Sequence, residues 1–558
     1  MRFRILASSL VTSLAACTSS DRTGSDATTG GTLVVVTGGD AGSLIPALVA
    51  DALGRTVSDQ LFDRLAEISQ ELRTLPGDQG YTPRLARSWT WSPDSLSIEF
   101  SIDPRARWHD GQPVRASDVR FTHQLAANPK TASAVAVNIA NVDSVQVRDS
   151  LTAIVWFKRR TPEQFTDFVY QLPIIPEHVY SAIPPEQLRS DPKSRSPVGS
   201  GRFRFARWEA GSRLEIVADT ANYRGRPKLD RVIFTIARDP ASAAAQILSG
   251  QADFYEVFPA DQLSKLDSSS VARAEGAPTL GYTHMSMSQR DRKANRPHPV
   301  LGERAVRRAL SMAVDRAAML QNVFGSHGHL GRGPFPAVLA SADTTLQPPP
   351  FDPAAAKALL DSAGWREPAP GGVRAKNGKP LRFSLMYPTS SVARSRYAVL
   401  IQQQLRNVGA QVDLEALEPG SAFFPRLFAG DYDAAMNTYN TDPGFSGTRQ
   451  SWSTAGIGEN GQNYGRYSNP AVDKLLDSSL ATFDLARAKS YVSQAFQQIM
   501  ADAPSIWLYD NYNIAGVHRR IELRPMRADG WWSELADWSI PRDKRIDRDR
   551  IGLTPPAS

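Results

Sequence analysis

The chain has 558 residues, of which 41% are apolar and 22% are charged, a composition typical of soluble globular proteins with two to four domains. Its 64 basic and 57 acidic residues give a formal net charge of +7, but the two signs are intermixed along the chain. We therefore expect no nucleic-acid partner. The single cysteine, Cys17, excludes an intramolecular disulfide and a cysteine-based zinc site.

The N-terminus has the layout of a secretory signal peptide. A short basic segment precedes an apolar run, Ile5 to Ala16, that is followed directly by Cys17. The small residues before this cysteine resemble the lipobox of bacterial lipoproteins, so we predict a signal peptide over residues 1–17 and lipidation of Cys17. The alternative is an ordinary signal peptide with an incidental cysteine. The apolar run is too short to span a bilayer, and residues 18–30, rich in Ser, Thr, Gly and Asp, are expected to form a flexible tether to the membrane.

The next part of the chain alternates between strand and helix patterns. Gly31 to Thr37 is a β-branched run that predicts a buried strand, and Ala52 to Glu67 has the period of an amphipathic helix. In the stretch 81–122, apolar and polar residues alternate in two successive runs, which predicts a β-hairpin. Ser117 or Asp118 is then expected to cap a helix.

The stretch 81–122 also carries a recognisable set of fixed positions. They are Pro83, Leu85, Ala86, Ser88 and Trp89, then Trp108-His109-Asp110-Gly111, Pro113, Ala116, Asp118, Val119 and Phe121. Their order and spacing resemble the signature block of the family 5 extracellular solute-binding proteins, the large oligopeptide- and dipeptide-binding receptors of ABC importers. A second segment, 197–208, also resembles this family, although Ser200 and Arg202 stand where the family usually has Thr and Pro.

The resemblance implies an α/β fold of the periplasmic-binding-protein type, with two α/β lobes, a hinge and an inserted subdomain. The implied boundaries are lobe I at 31–70, 198–285 and 506–545, subdomain II at 71–197, lobe III at 286–505, and a loose tail at 546–558. The pattern of elements agrees with an α/β fold. Asp239-Pro240 opens a helix between two predicted strands, and 381–417 repeats the strand–helix–strand order.

No motif for catalysis or for a cofactor is present. The chain contains no P-loop, no G-x-S-x-G and no H-E-x-x-H. His327 and His329 form a tight pair in a glycine-rich loop without a neighbouring acidic residue, and we interpret them as loop residues rather than metal ligands. We therefore expect a protein that is not an enzyme and that has no cofactor and no metal.

The predicted ligand contacts follow a strand that begins at Asp433. Ligands of open α/β sheets bind beyond the carboxyl ends of the strands. In the peptide-binding members of the family, the corresponding strand ends in Gly-Trp and is followed by an Asp that holds the amino terminus of the peptide. Asp442 has the matching spacing, so the resemblance implies that it binds a ligand ammonium; the alternative is that it only forms a turn before Pro443.

Three further residues belong to this predicted site. Thr438 and Tyr439 stand in place of the family's Gly and Trp, and Tyr439 is expected to stack on the ligand. Asn440 lies between Tyr439 and Asp442 and is included with them. Trp452 is an additional candidate for the lining of the pocket.

The function implied by the resemblance is capture of a solute without chemistry. The lobes would close on the ligand, and the closed form would dock on the permease of an ABC importer. Peptides are the expected solute, an oligosaccharide or a metal chelate is the alternative, and a secreted enzyme is a third hypothesis. We expect a monomer in the periplasm or otherwise outside the cytoplasm, tethered to the membrane through Cys17.

Overall fold

The computed structural model describes residues 28–72, 77–291, 296–458 and 461–550. Cys17, the predicted signal peptide and most of the predicted tether lie outside the described residues. Within the described ranges, none of the helices combines the length and the apolar character needed to cross a bilayer.

The chain alternates strands with helices, as predicted. The strands are β1 (Thr32–Thr37), β2 (Ala66–Ile68), β3 (Tyr81–Pro83), β4 (Ala86–Trp91), β5 (Ser97–Ile102), β6 (Val142–Asp149), β7 (Thr152–Phe157), β8 (Phe203–Glu209), β9 (Arg213–Ala218), β10 (Arg231–Ile236), β11 (Phe254–Tyr255), β12 (Ala272–Met287), β13 (Ala375–Lys376), β14 (Lys379–Pro380), β15 (Arg382–Pro388), β16 (Gln411–Leu417), β17 (Ala434–Asn440) and β18 (Ser505–His518). The helices are α1 (Ala52–Leu61), α2 (Ala116–Ala127), α3 (Gln164–Val169), α4 (Glu177–Tyr180), α5 (Pro240–Leu248), α6 (Leu263–Asp267), α7 (Arg304–Met312), α8 (Arg316–Phe324), α9 (Pro353–Ser362), α10 (Val392–Arg406), α11 (Phe424–Ala429), α12 (Ser446–Trp452), α13 (Pro470–Ala481) and α14 (Leu485–Asp502).

One sheet of ten strands runs through the molecule, in the order β16-β15-β17-β12-β18-β11-β1-β10-β9-β8. Its two longest strands, β12 and β18, lie side by side in the middle and are antiparallel. On its other side, β18 pairs with β11 through its C-terminal residues, and β12 pairs with β17 through its C-terminal residues. The two strands therefore belong to both lobes: we call the β1 side lobe I and the β15 side lobe III.

The pairing of β12 with β18 is irregular where these strands pass from the β11 side to the β17 side of the sheet, and we call this part the hinge. Pro278 is opposite Tyr512, but Tyr282 is opposite Asp510, so the register shifts between these pairs. The predicted boundaries of the lobes, at 285 and 506, fall inside these same two strands and stay a prediction.

The residues predicted as subdomain II form a sheet of their own. Its four strands have the order β4-β5-β7-β6, and the β4–β5 pair is the predicted hairpin. The core of this subdomain is continuous with that of lobe I, since Phe100 and Phe165 belong to the same buried cluster as Leu33 and Phe234. Lobe III encloses a separate core. Subdomain II is therefore packed on lobe I rather than on lobe III.

Local signals in the sequence explain several of the helix starts. Asp239, Asp352 and Asn469 each cap a helix that has Pro at its first position, and each side chain accepts a backbone N–H of the first turn. Two predicted bounds were wrong. The first helix ends at Leu61 rather than Glu67, and α2 begins at Ala116, so that Asp118 is its third residue and not its cap.

The C-terminal residues 546–550 are not a loose tail, contrary to the prediction. Asp549 is buried and its Oδ1 accepts the backbone N–H of Thr32 at 2.8 Å. Its Oδ2 accepts a hydrogen bond from Arg520 at 2.7 Å, and Arg520 also binds Asp253. These buried charges join the end of the chain to β1, which hydropathy alone does not indicate. Residues 551–558 lie outside the described residues.

Candidate ligand-binding site

A cavity of about 400 Å³ lies between the two lobes, beside the irregular part of β12. Lobe I, subdomain II, the hinge and lobe III all contribute to its walls. The lining residues are Arg55, Tyr170, Glu256, 277–280, 440–442, Gly447, Gln450, Gln462 and 528–532. This volume and the mixture of aromatic and polar groups are typical of a small-molecule site.

Asp442 and Asn440, at the end of β17, both line the cavity. Both side chains are exposed to the cavity. Within the described ranges, the Asp442 carboxylate has neither a hydrogen-bond nor an ion-pair partner. The surrounding protein raises the pKa of Asp442 by desolvation, Arg55 lowers it and Asp529 raises it. A carboxylate in this position is suited to binding a cationic group.

Gly281 makes room for Asn440 at the hinge. A Cβ atom on Gly281 would lie 2.5 Å from Asn440 Oδ1, so a larger residue at 281 would displace the Asn440 side chain from its present position.

Arg55 supplies positive charge to the cavity from helix α1. Burial opposes this charge, but Tyr170 and the carboxylates nearby outweigh burial and raise the pKa of Arg55. Its ion pair with Asp59 is long, at 3.9 Å. Asp59 is already bound by Arg64 and by Trp532 Nε1, each at 2.9 Å. Arg55 Nη2 donates a long hydrogen bond, of 3.5 Å, to the Tyr170 hydroxyl, and the guanidinium keeps further N–H groups for a ligand carboxylate.

The carboxylate of Asp529 lines the cavity, and side chains of the protein donate hydrogen bonds to both of its oxygens. Its Oδ2 accepts the hydroxyl of Tyr170 at 2.9 Å, and its Oδ1 accepts Arg527 Nε at 2.6 Å. Arg527 is buried and also pairs with Glu67 at 2.9 Å. Because its oxygens are held by these donors, Asp529 shapes the wall rather than offering a free charge.

Glu256 enters the cavity from lobe I, directly after β11. Its Oε1 accepts Asn513 Nδ2 at 2.8 Å, and its Oε2 accepts Trp531 Nε1 at 3.1 Å. Burial raises the pKa of this carboxyl, while the two hydrogen bonds oppose the rise.

Subdomain II and lobe III touch at the rim of the cavity. The Glu163 Oε1 atom accepts the backbone N–H of Phe445 at 2.6 Å. Asp167 lies in helix α3, one turn after Glu163. Burial raises the pKa of Asp167 to about 8, and the negative charges of Glu163 and Asp442 contribute to this rise. The described conformation is therefore one in which the two sides of the cleft are in contact.

Tyr439 and Trp452, which were predicted to contact the ligand, do not line this cavity. Both are 2% exposed. They belong to a buried aromatic cluster with Tyr282, His284 and Trp507, and Trp452 Nε1 donates to the Tyr282 hydroxyl at 2.8 Å. Neighbouring residues of a strand face opposite sides, so Tyr439 points into lobe III while Asn440 points into the cleft.

The histidine pair lies away from this cavity. His327 Nε2 is 3.0 Å from Asp267 Oδ1, and the His329 ring stacks on Tyr512 with centroids 3.7 Å apart. In the part of the chain that the structure describes, His, Cys, Asp and Glu side chains form no group of three that could hold a metal ion.

Residues 80–460 match the family model of the bacterial extracellular solute-binding proteins, family 5. The chain belongs to this family. Members of family 5 are binding proteins of transporters, so the family assignment points to binding rather than to catalysis. It confirms the family and the periplasmic-binding-protein fold that the signature block implied.

Relatives of family 5 match over most of the chain. A putative ABC transporter peptide-binding protein of Brucella ovis is 29% identical over 472 residues, covering 81% of this chain and 82% of the relative. The structure of the oligopeptide-binding protein AppA from Bacillus subtilis, in complex with a nonapeptide, has a TM-score of 0.73 and 22% identity, covering 92% of this chain and 99% of AppA. NikZ from Campylobacter jejuni in complex with Ni(L-His) has a TM-score of 0.73 and 21% identity, with 91% and 99% covered.

Three charged residues of the site were missed by sequence reasoning: Arg55, Glu256 and Asp529. They come from segments far apart in the chain and meet only in the fold. Glu256 had a usable signal, because it lies near the carboxyl end of a strand predicted over 253–257, the end where ligands of α/β proteins bind. Arg55 and Asp529 had none.

Proposed function

We propose that this chain is the solute-binding component of an ABC importer and that it captures peptides in the cleft between lobes I and III. The proposal rests on two charged groups that line the same interlobe cavity. The Asp442 carboxylate has no hydrogen-bond or ion-pair partner among the described residues, and the Arg55 guanidinium makes only a long ion pair and a long hydrogen bond. A zwitterionic peptide offers an ammonium for the first and a carboxylate for the second.

Asp442 is assigned to the ligand ammonium and Arg55 to a ligand carboxylate. Both groups lie in a cavity from which closure of the lobes excludes most water, and charged hydrogen bonds are strong under these conditions. Asn440, Gln450 and Gln462 line the same space and supply neutral donors and acceptors for peptide groups. The peptide-binding descriptions of the Brucella ovis relative and of AppA support the same solute class.

Delivery requires a membrane partner and a location outside the cytoplasm. We assign the role of the membrane partner to an ABC permease. A lipid anchor on Cys17, with residues 18–30 as the tether, would hold the protein at the outer side of the membrane. The protein is expected to act as a monomer and to have no catalytic activity of its own. The closed form, in which Glu163 meets Phe445, is the form that would dock on the permease.

Identification of the retained ligand tests the proposal. The protein is purified from its native host without denaturation, and the small molecules it releases on unfolding are sequenced by mass spectrometry. Peptides should be recovered in roughly stoichiometric amount, and calorimetry with the same synthetic peptides should give saturable binding. A stoichiometric solute that is not a peptide would contradict the assignment.

A second candidate solute is a small metal chelate. It is favoured by the similarity of this fold to NikZ, which holds Ni(L-His). In the same extraction experiment, this candidate predicts nickel or another transition metal together with an amino acid. An oligosaccharide has no comparable support.

A further inference from the structure

Glu256 lines the cavity and differs from Asp529 in the cavity wall and from Asp59 beside it in what holds its carboxylate. Asp59 and Asp529 are each bound by an arginine of the protein, at 2.9 and 2.6 Å. Glu256 is bound by two neutral groups, the Asn513 amide and the Trp531 indole. No cationic side chain of the described residues lies within 4.0 Å of its oxygens.

Such a carboxylate is costly to the unliganded protein. Removing a charge from water without giving it a counter-charge destabilises the charged form. Burial raises the pKa of Glu256, as expected from this cost. The Asn513 and Trp531 donors nevertheless hold both oxygens in a fixed orientation at the wall of the ligand cavity. A cation that entered the cavity would meet a preformed acceptor.

The wall next to Glu256 is suited to an alkyl chain that ends in a charge. Trp531 and Trp532 both line the cavity, with ring centroids 5.8 Å apart and ring planes at 87° to each other. Methylene groups of a long basic side chain pack favourably on indole surfaces while the charged end reaches a carboxylate.

We infer that Glu256 binds a second positive charge of the ligand, the ammonium or guanidinium of a basic side chain, so that the site selects peptides containing Lys, Arg or ornithine. The inference rests on the proposed peptide function. The two positive charges of the ligand would then bind to different lobes. Glu256 follows β11 of lobe I, whereas Asp442 follows β17 of lobe III. A peptide that bound both carboxylates would hold the two lobes together.

Matched peptides test the inference. Lysine is placed at each position of a trialanine peptide in turn, and each lysine peptide is compared by calorimetry with the peptide that carries uncharged norleucine at the same position. Wild-type protein should prefer lysine at one position by about 30-fold or more, the range measured for buried charged pairs. Glu256→Gln should abolish this preference, so that the variant binds the lysine and norleucine peptides with equal affinity.

Two controls separate charge recognition from a structural effect. Glu275→Gln removes a carboxylate of β12 that pairs with Arg273 away from the cavity lining, and it should leave the preference unchanged. If Glu256→Gln does not fold, charge recognition is tested on wild-type protein with a peptide that contains Nε-acetyl-lysine. This residue keeps the alkyl chain of lysine and removes its charge. That peptide should bind as weakly as the norleucine peptide.

The possible results are distinct. Equal binding of lysine and norleucine peptides by wild-type protein, at every position, overturns the inference and leaves the peptide function standing. A lysine preference that survives in Glu256→Gln overturns the role of Glu256. Failure of all peptides to bind overturns the proposed function and this inference together.

Discussion

The carboxylate of Glu163 in subdomain II accepts the backbone N–H of Phe445 in lobe III at 2.6 Å. This hydrogen bond crosses the mouth of the cleft, next to the cavity wall formed by Asp442. Subdomain II is fused to the core of lobe I, so the contact links the two sides that must separate when the ligand leaves. Glu163 is thus placed to stabilise the closed form.

Replacing Glu163 should weaken closure. A hydrogen bond to a charged group contributes about 1.5–3 kcal/mol, so Glu163→Ala should speed ligand dissociation by roughly 10- to 100-fold, if the open form makes no substitute contact. Stopped-flow dissociation of the bound ligand measures this rate. Glu186→Ala, an exposed change in the same subdomain, is the control and should dissociate like wild type. Equal rates for both variants would mean that the contact does not hold the cleft closed.

His284 makes the protein sensitive to acid. Its ring is fully buried among Tyr282, Tyr439, Trp452 and Trp507, and burial lowers the pKa to about 3 from an ordinary value of 6.5. Between these two values the unfolded chain takes up a proton that the folded chain does not. Stability therefore falls as the pH decreases from about 6.5 towards 3. At pH 4.5, two pH units below the ordinary value, this one group should cost about 3 kcal/mol.

The variant His284→Gln tests this effect, because it keeps a hydrogen-bonding group beside Ser505 and cannot titrate in this range. Urea unfolding at pH 7.5 and pH 4.5 gives the loss of stability on acidification. We expect a loss about 3 kcal/mol smaller in the variant than in wild type, whatever the variant costs at pH 7.5. His327→Gln, beside Asp267 on the surface, should not reduce the loss. If both variants lose as much as wild type, another group controls the acid response.

The position of some cavity residues could be predicted from the sequence, because these residues directly follow a single recognisable strand. Asp442 and Asn440 follow a strand whose alternation is clear in the sequence, and they do reach the cavity. Tyr439 is on the same strand, but which face of β17 turns to the cleft depends on its pairing with β12 and not on its own sequence. Arg55 contacts Tyr170, 115 residues further along the chain, and Glu256 contacts Asn513, 257 residues further along. Only the fold brings such residues together.

The anchor prediction concerns residues outside the described ranges and needs its own test. Cys17 is the only thiol of the chain and follows Leu14-Ala15-Ala16. Acyl chains contribute about 0.8 kcal/mol per buried CH₂, and several chains together hold a protein stably on a membrane. Cys17→Ser should therefore move the protein from the membrane fraction to the soluble fraction. Cys17→Ser protein that stays in the membrane fraction would exclude the lipid anchor.

The assignment of Asp442 to the ligand ammonium rests on its unpartnered carboxylate in the cavity. Removing one partner of a buried charged hydrogen bond costs about 2–5 kcal/mol, because the other charge remains buried and unpaired. Asp442→Asn keeps the shape of the side chain and removes its charge. The affinity for a peptide with a free amino terminus should therefore fall by about 30-fold or more.

A peptide acetylated at its amino terminus separates this role from a role in the turn before Pro443. The acetylated peptide lacks the charge that Asp442 would bind, so it should bind weakly to wild-type protein and lose little further in Asp442→Asn. Calorimetry on the four combinations of protein and peptide gives the coupling between the two charges directly. If Asp442→Asn weakens both peptides equally, Asp442 only shapes the loop. The ammonium would then have to bind at another carboxylate of the cavity, of which Glu256 is the one without a cationic partner among the described residues.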